Sequence, residues 1–321
     1  MKDLRWAIGK VMHPIRRMLY RRSFFRPRIW RIEFQAVVRN KGARFARAVL
    51  LFPMPQAGPT QEMLERPRFN TACEVKSDLV YGNEYALVKL DLAPGQETSI
   101  LQQALVRVFP RKAHFSDSAN SRTAQLGQKN DLYLVANAYI TSNDVQIRSL
   151  AKQIVGQDHS ATNMLRRVNE YVVRKLRYGL PIAGLYSAGD ALTLPLVDCG
   201  GFDTLEAALL QSLGYPVRIV SGFWATGKHD NAMHAWLEVR LPDGQWVGLD
   251  PSVEHLQRAG KSARFLGFGQ VGADRIITGY GCAIPVSGLA DRIPILQNPM
   301  VINGPIDDLE ISVFFKTPTY P

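Results

Sequence analysis

The hydrophobic period of this chain changes twice, and that change limits the folds open to it. From Trp30 onward, Trp30, Ile32, Phe34, Ala36 and Val38 alternate with Arg31, Glu33, Gln35, Val37 and Arg39, the period of two of a half-buried antiparallel strand. Further apolar runs at 46–52, 85–92 and 100–109 are separated by turn-forming pairs such as Gly82-Asn83 and Pro94-Gly95. Residues 80–81 and 85–92 therefore read as a hairpin, and residues 30–112 as an antiparallel β-sandwich. A polar stretch over 111–131 makes residues 113–141 a linker.

The period then lengthens to that of a helix. Ile147, Leu150, Ala151, Ile154 and Val155 form a stripe closed by Gly156, and Ser160 is placed to cap a second helix through Met164, Leu165, Val168 and Val172. A loop rich in Gly, Pro and Ala spans 179–197, and a third helix follows over 199–213, with Phe202, Leu205, Leu209 and Leu213 on its buried face. Strands return at 217–224, 233–240 and 245–249. Helices followed by an antiparallel sheet define an α+β layout, not a parallel α/β one. The chemistry-bearing domain is assigned to 142–290 and a C-terminal strand extension to 291–321.

Composition narrows the classes further. With 321 residues, the chain is long enough for two domains, and 46% hydrophobic with 21% charged residues is a globular balance. No apolar run approaches the length of a membrane-spanning helix. Cys73, Cys199 and Cys282 are too few and too scattered for a disulfide framework or a four-ligand zinc site. A reducing, cytoplasmic setting is the simplest expectation.

The net charge is +11, yet residues 1–31 hold ten Lys or Arg against the single acid Asp3, so +9 of it sits in one terminal arm. Such an arm attracts anionic surfaces through its field, and no specific nucleic-acid recognition is expected. Leu4, Ile8, Val11, Ile15 and Met18 lie at helical spacing within residues 1–29, flanked by Trp6 and Met12 and divided by Pro14. The arm lacks the unbroken apolar core of a secretory signal. Two readings stand: an interfacial helix on an anionic membrane leaflet, peripheral on the inner membrane, or a terminal helix packed on the protein's own body with solvated arginines.

Three positions carry the chemistry. Cys199 opens the third helix in the run Asp198-Cys199-Gly200-Gly201-Phe202, where unpaired N–H groups and the helix dipole favour thiolate. Gly200 and Gly201 leave room for a substrate carbonyl to reach those N–H groups. His234 begins a strand, and Asp250 ends the next one after the turn Pro242-Asp243-Gly244; a carboxylate there can fix the imidazole tautomer. A two-residue turn at Asp243-Gly244 would set His234 opposite Val253, so the trio requires a bulge or a looser turn. His229, Asp230, His234 and Glu238 lack a third ligand at useful spacing, so neither metal nor cofactor is expected. Trp224, Trp236 and Trp246 serve as core residues by default, with a substrate groove as the other reading.

The sequence resembles the transglutaminase-like superfamily, the bacterial branch of the papain-like thiol enzymes. The resemblance rests on Cys199 at a helix start, Ala208-Leu209-Leu210 before Gly214-Tyr215-Pro216-Val217-Arg218, the run His234-Ala235-Trp236-Leu237-Glu238-Val239, and Gly244-Gln245-Trp246 followed by Asp250-Pro251. It implies a papain-like core behind the β-sandwich, with Cys199 as nucleophile, His234 as base and Asp250 as orienter. Gly200, Tyr178, Tyr186 and Trp236 are candidates for the oxyanion or substrate contacts. The implied reaction is acyl transfer on peptide or glutamine carboxamide groups of a peptide or protein substrate, either hydrolytic or amine-transferring. The alternative is a non-catalytic binding protein that docks on an anionic membrane or nucleic acid through its arm. Ser252 stands where the family usually has threonine, and no calcium-site motif of the animal enzymes is present.

Overall fold

The computed structural model describes residues 15–115, 131–158, 160–226, 233–262 and 267–317. The strands begin with β1 (Arg28–Asn40), β2 (Ala46–Pro53), β3 (Gln61–Phe69), β4 (Glu74–Ser77), β5 (Glu84–Leu92), β6 (Glu97–Val108) and β7 (Arg111–Lys112). They continue with β8 (Val217–Trp224), β9 (Met233–Arg240), β10 (Trp246–Leu249), β11 (Gln270–Val271), β12 (Arg275–Tyr280), β13 (Met300–Asn303) and β14 (Leu309–Lys316). Residues 15–24 form helix α1, followed by α2 (Val145–Val155), α3 (Ala161–Lys175), α4 (Ala188–Thr193), α5 (Cys199–Ser212) and α6 (Pro251–Arg258). Among the described residues no helix is long and apolar enough to cross a membrane.

The chain groups into two compact units: residues 1–27, 109–219 and 235–273 in one, and residues 28–108, 220–234 and 274–321 in the other. The second is strand-rich. Its two four-stranded sheets run β14-β1-β6-β3 and β13-β2-β5-β4, so strands from the C-terminal segment complete both. The alternation read from Trp30 onward appears as alternating burial along β1. Phe34 meets Phe52 edge-on at 4.9 Å and Phe315 at 5.4 Å, and Phe315 stacks on Phe223 at 4.1 Å. Each such side chain contributes about 1.5–3 kcal/mol of burial.

The expected hairpin differs. Residues 80–81 belong to a loop, because the Asp78 carboxylate accepts N–H bonds from Val80 (2.9 Å), Tyr81 (2.6 Å) and Asn83 (2.8 Å). The chain-adjacent partner of β5 is instead β4, paired from Glu74 to Ser77, with β2 on its other side.

In the helical unit α5 is the hub: residues 200–211 are all buried, and α2, α3, α4 and α6 pack against it. Gly156 ends α2 with φ 58° and Ser160 caps α3 by accepting from the Asn163 N–H, both as the sequence indicates. Helix α1 turns Tyr20 inward with Phe24 and Phe25 packed on it. Ala273 N–H donates to the Phe24 carbonyl at 2.8 Å, and Arg21 donates to Gln270 at 3.2 Å. Ile15 and Met18, the described members of the sequence stripe, are exposed; Leu4, Ile8 and Val11 lie outside the described residues.

The β9–β10 turn settles a register question. Leu241 donates to the Gln245 carbonyl at 2.8 Å and Gly244 takes φ 86°, giving a three-residue loop in place of a two-residue one. Leu249 therefore pairs with Leu237, and the register carried one residue further sets Asp250 level with Trp236. A two-residue turn would have set Asp250 level with Leu237 and so on the opposite face. As found, Asp250 shares the face of Trp236, and two residues along that same strand face stands His234.

Candidate active site

Cys199 is the first residue of α5, and Asp198 is its N-cap. One carboxylate oxygen of Asp198 accepts from Gly201 N–H at 3.4 Å, and the other accepts from Ile182 N–H at 3.1 Å. The two glycines are required by packing. A Cβ at Gly201 would lie 2.6 Å from Val197 Cβ, and one at Gly200 would lie 2.7 Å from Leu185 Cδ1. The side of each glycine where a Cβ would stand is thus filled by the protein's own side chains and not left open to a substrate, and the Gly200 N–H also turns to the Asp198 carboxylate.

Cys199 as a whole residue is half-buried, its sulfur turned inward. Burial pushes the thiol well above its ordinary range, Asp198 and Asp203 add to the rise, a hydrogen bond from Ala235 N–H pulls it back, and Asp250 raises it again. The helix dipole expected to favour thiolate is opposed at its own end by the capping carboxylate.

Ala235 follows His234 directly in β9. His234 itself is 3% exposed. Its imidazole lies on the indole of Trp224, centroids 4.1 Å apart and planes at 21°. Gln297 Nε2 donates to the His234 carbonyl at 3.0 Å and to the Gly222 carbonyl at 2.9 Å, pinning the ends of β9 and β8 on either side of the segment that joins them. On Trp224 lies a second group, the guanidinium of Arg275, 4.5 Å from the ring centroid. Arg275 is 1% exposed and pairs with the buried Asp274 at 3.3 Å.

Asp250 is fully buried. It caps α6, one carboxylate oxygen accepting from Ser252 Oγ and from Val253 N–H at 3.0 Å each, while its own N–H donates to the Gly267 carbonyl at 3.1 Å. Ser252, the departure from the family's usual threonine, retains the hydroxyl function.

The remaining candidates separate. Tyr186 donates its hydroxyl to the Leu180 carbonyl at 2.7 Å, so that group is engaged in holding the loop. Tyr178 bridges to Val197, is partly exposed, and sits in the field of Cys199, Asp198, Asp250 and Asp203; burial first and these charges second hold its phenol well above the ordinary range, hence protonated. Trp236 is fully buried. Leu180, with φ 46°, and Ile182 follow Tyr178 in the chain and are exposed to 58% and 37%.

Glu238 is occupied by Arg218, whose Nε and Nη2 donate at 2.9 and 2.6 Å. Among the described residues, no group of three or more His, Cys, Asp or Glu side chains is arranged to hold a metal ion. His229 and Asp230 lie outside the described residues.

Some of the framing residues were missed in the sequence. Helix α4 falls inside the loop expected at 179–197, yet Ser187 and Asp190 form a capping box, a readable signal. Helix α6 is announced by Asp250-Pro251, an N-cap followed by proline at the first helical position. Gln297 and Asp203 carried no local signal.

Residues 148–251 match the sequence profile of the transglutaminase-like superfamily core. Among solved structures, a candidate cysteine protease from Cytophaga hutchinsonii aligns with a TM-score of 0.56 at 16% identity, covering 92% of this chain and 93% of that one. The periplasmic domain of TgpA from Pseudomonas aeruginosa aligns at a TM-score of 0.35 and 13% identity, over 72% of this chain and 91% of that one. No curated protein matches the chain.

Proposed function

We propose that the chain, whose residues 148–251 match the transglutaminase-like superfamily core, is a thiol-dependent acyl-transfer enzyme acting on peptide or glutamine carboxamide groups. The observation that carries this reading is the sulfur of Cys199 at the head of α5, held at the N–H of Ala235, the residue that follows His234. In the proposed reaction His234 takes the thiol proton as Cys199 Sγ attacks the carbonyl carbon. The oxyanion is met by Cys199 N–H and the protonated Tyr178 hydroxyl. Collapse expels the amine, which leaves with the proton from His234, and a thioester remains. Water, deprotonated by His234, then attacks the thioester and releases acid and thiol. Asp250 is proposed to orient His234. Hydrolysis is favoured over amine transfer by analogy with family members alone.

A second reading has one observation in its favour: the upward push on the Cys199 thiol suits a core retained for binding without catalysis. Alkylation of each cysteine against pH, resolved by peptide mass spectrometry in the native protein and in His234→Ala, separates the two. The enzyme reading expects Cys199 alkylation at neutral pH to fall about tenfold or more without His234, with Cys73 unchanged. Equal Cys199 rates in both proteins would establish the binding reading instead.

A further inference from the structure

Helix α1 (15–24) carries apolar side chains on two opposite sides. Tyr20 and Phe24, four residues apart, form the side that packs on the protein itself. Ile15, Met18 and Leu19, at the i, i+3 and i+4 positions of the other side, are exposed to 44%, 62% and 53%. The inward anchor, reinforced by the bond from Ala273 N–H to the Phe24 carbonyl, fixes the outward side in place without any need to unpack the helix. Around it stand the exposed Arg16, Arg17 and Arg22, with Arg26 and Arg28 just beyond. No Asp or Glu occurs between residues 4 and 32.

We propose that α1 docks on an anionic lipid surface, its aliphatic side entering the boundary between headgroups and acyl chains while the arginines face headgroup phosphates. The combination selects this partner. A nucleic-acid backbone would satisfy the arginines but offers nothing to three exposed aliphatic side chains. A second copy of the same cationic face would repel itself. A membrane interface accepts both kinds of group at once. In the sequence, the aliphatic spacing continues upstream at Val11, Ile8 and Leu4. This docking is independent of the chemistry proposed for Cys199.

The test is sedimentation of the full chain with phosphatidylcholine vesicles, with and without phosphatidylglycerol, at low and high salt. Retention by the phosphatidylglycerol vesicles is expected, weakening as salt rises. The neutral pair Met18→Gln/Leu19→Gln is expected to weaken binding about tenfold or more, with its circular dichroism unchanged because both residues are exposed. Arg16→Gln/Arg17→Gln/Arg22→Gln is expected to remove most of the salt dependence. The proposal falls if the native chain is not retained at low salt. It falls equally if Met18→Gln/Leu19→Gln binds as the native chain does, which would leave charge alone, or if duplex DNA is bound more tightly than the vesicles.

Discussion

Trp224 lays its indole against the imidazole of His234, ring centroids 4.1 Å apart and nearly parallel. The base role proposed for His234 would need its ring held in one orientation, and a flat aromatic partner supplies such a constraint. Trp224→Leu is therefore expected to lower the rate of Cys199 alkylation at neutral pH about tenfold, with Trp224→Phe intermediate. Equal rates in all three proteins would show that the stack does not position the base.

The charges around Cys199 make a separate prediction. Asp203 contributes to the upward push on the thiol, so Asp203→Asn is expected to move the apparent pKa of Cys199 downward and to speed its alkylation at neutral pH. Mass-resolved alkylation against pH reads this directly. An unmoved or higher pKa in Asp203→Asn contradicts the field described here.

Glu206 bears on stability. Burial pushes its carboxyl well above the 4.5 of an ordinary Glu, the Asn169 amide pulls the other way, and Glu254 and Asp250 add to the rise. The folded state thus prefers the protonated acid. The stability it contributes is fully present below the unfolded value of 4.5 and is lost as pH rises through the folded value. Glu206→Gln imitates the protonated acid at every pH. Its unfolding free energy, read from thermal unfolding against pH, is expected to exceed the native one at alkaline pH by at least about 1 kcal/mol and to approach it in acid. A gap that is constant with pH would refute the assignment.

Gln297 ties two carbonyls with one amide. Replacing it with leucine leaves both buried acceptors short of a donor, at a cost of about 1–3 kcal/mol each. Chemical denaturation of Gln297→Leu is expected to show a loss of about 2–6 kcal/mol for the two together, with an unchanged dependence on denaturant. A loss under about 0.5 kcal/mol would mean that neither carbonyl relied on Gln297.

What was readable in the sequence depended on how local its cause is. The alternation of β1 and the stops at Gly156 and Ser160 follow from neighbours in the chain, and the structure has them where the residues indicated. Strand β3 reads Gln-Glu-Met-Leu-Glu-Arg-Pro-Arg-Phe, without alternation, and its pairing with β6 is broken by two register shifts; only its neighbour makes it a strand. At the candidate site, a cysteine opening a helix is visible because a cap residue precedes it. The field on that cysteine is not, since Asp203 and Asp250 act through space. Nor is the support for His234, because Gln297 lies 63 residues away. The turn at 242–244 was undecided by composition alone, and the one extra residue decides which face of the sheet receives Asp250.

The backbone passes between the two compact units five times, at 27/28, 108/109, 219/220, 234/235 and 273/274. Two of those passages fall inside β8 and β9 themselves. Neither unit is therefore a separable cassette. No single cut in the gene frees either one intact, so recombination can neither add nor remove one of them in a single exchange. A stretch cloned as residues 142–290 would also take the end of β8, the start of β9 and β12 out of the strand-rich unit, and would carry β11 without its partner β7. The two units are bound to be inherited, expressed and tested together.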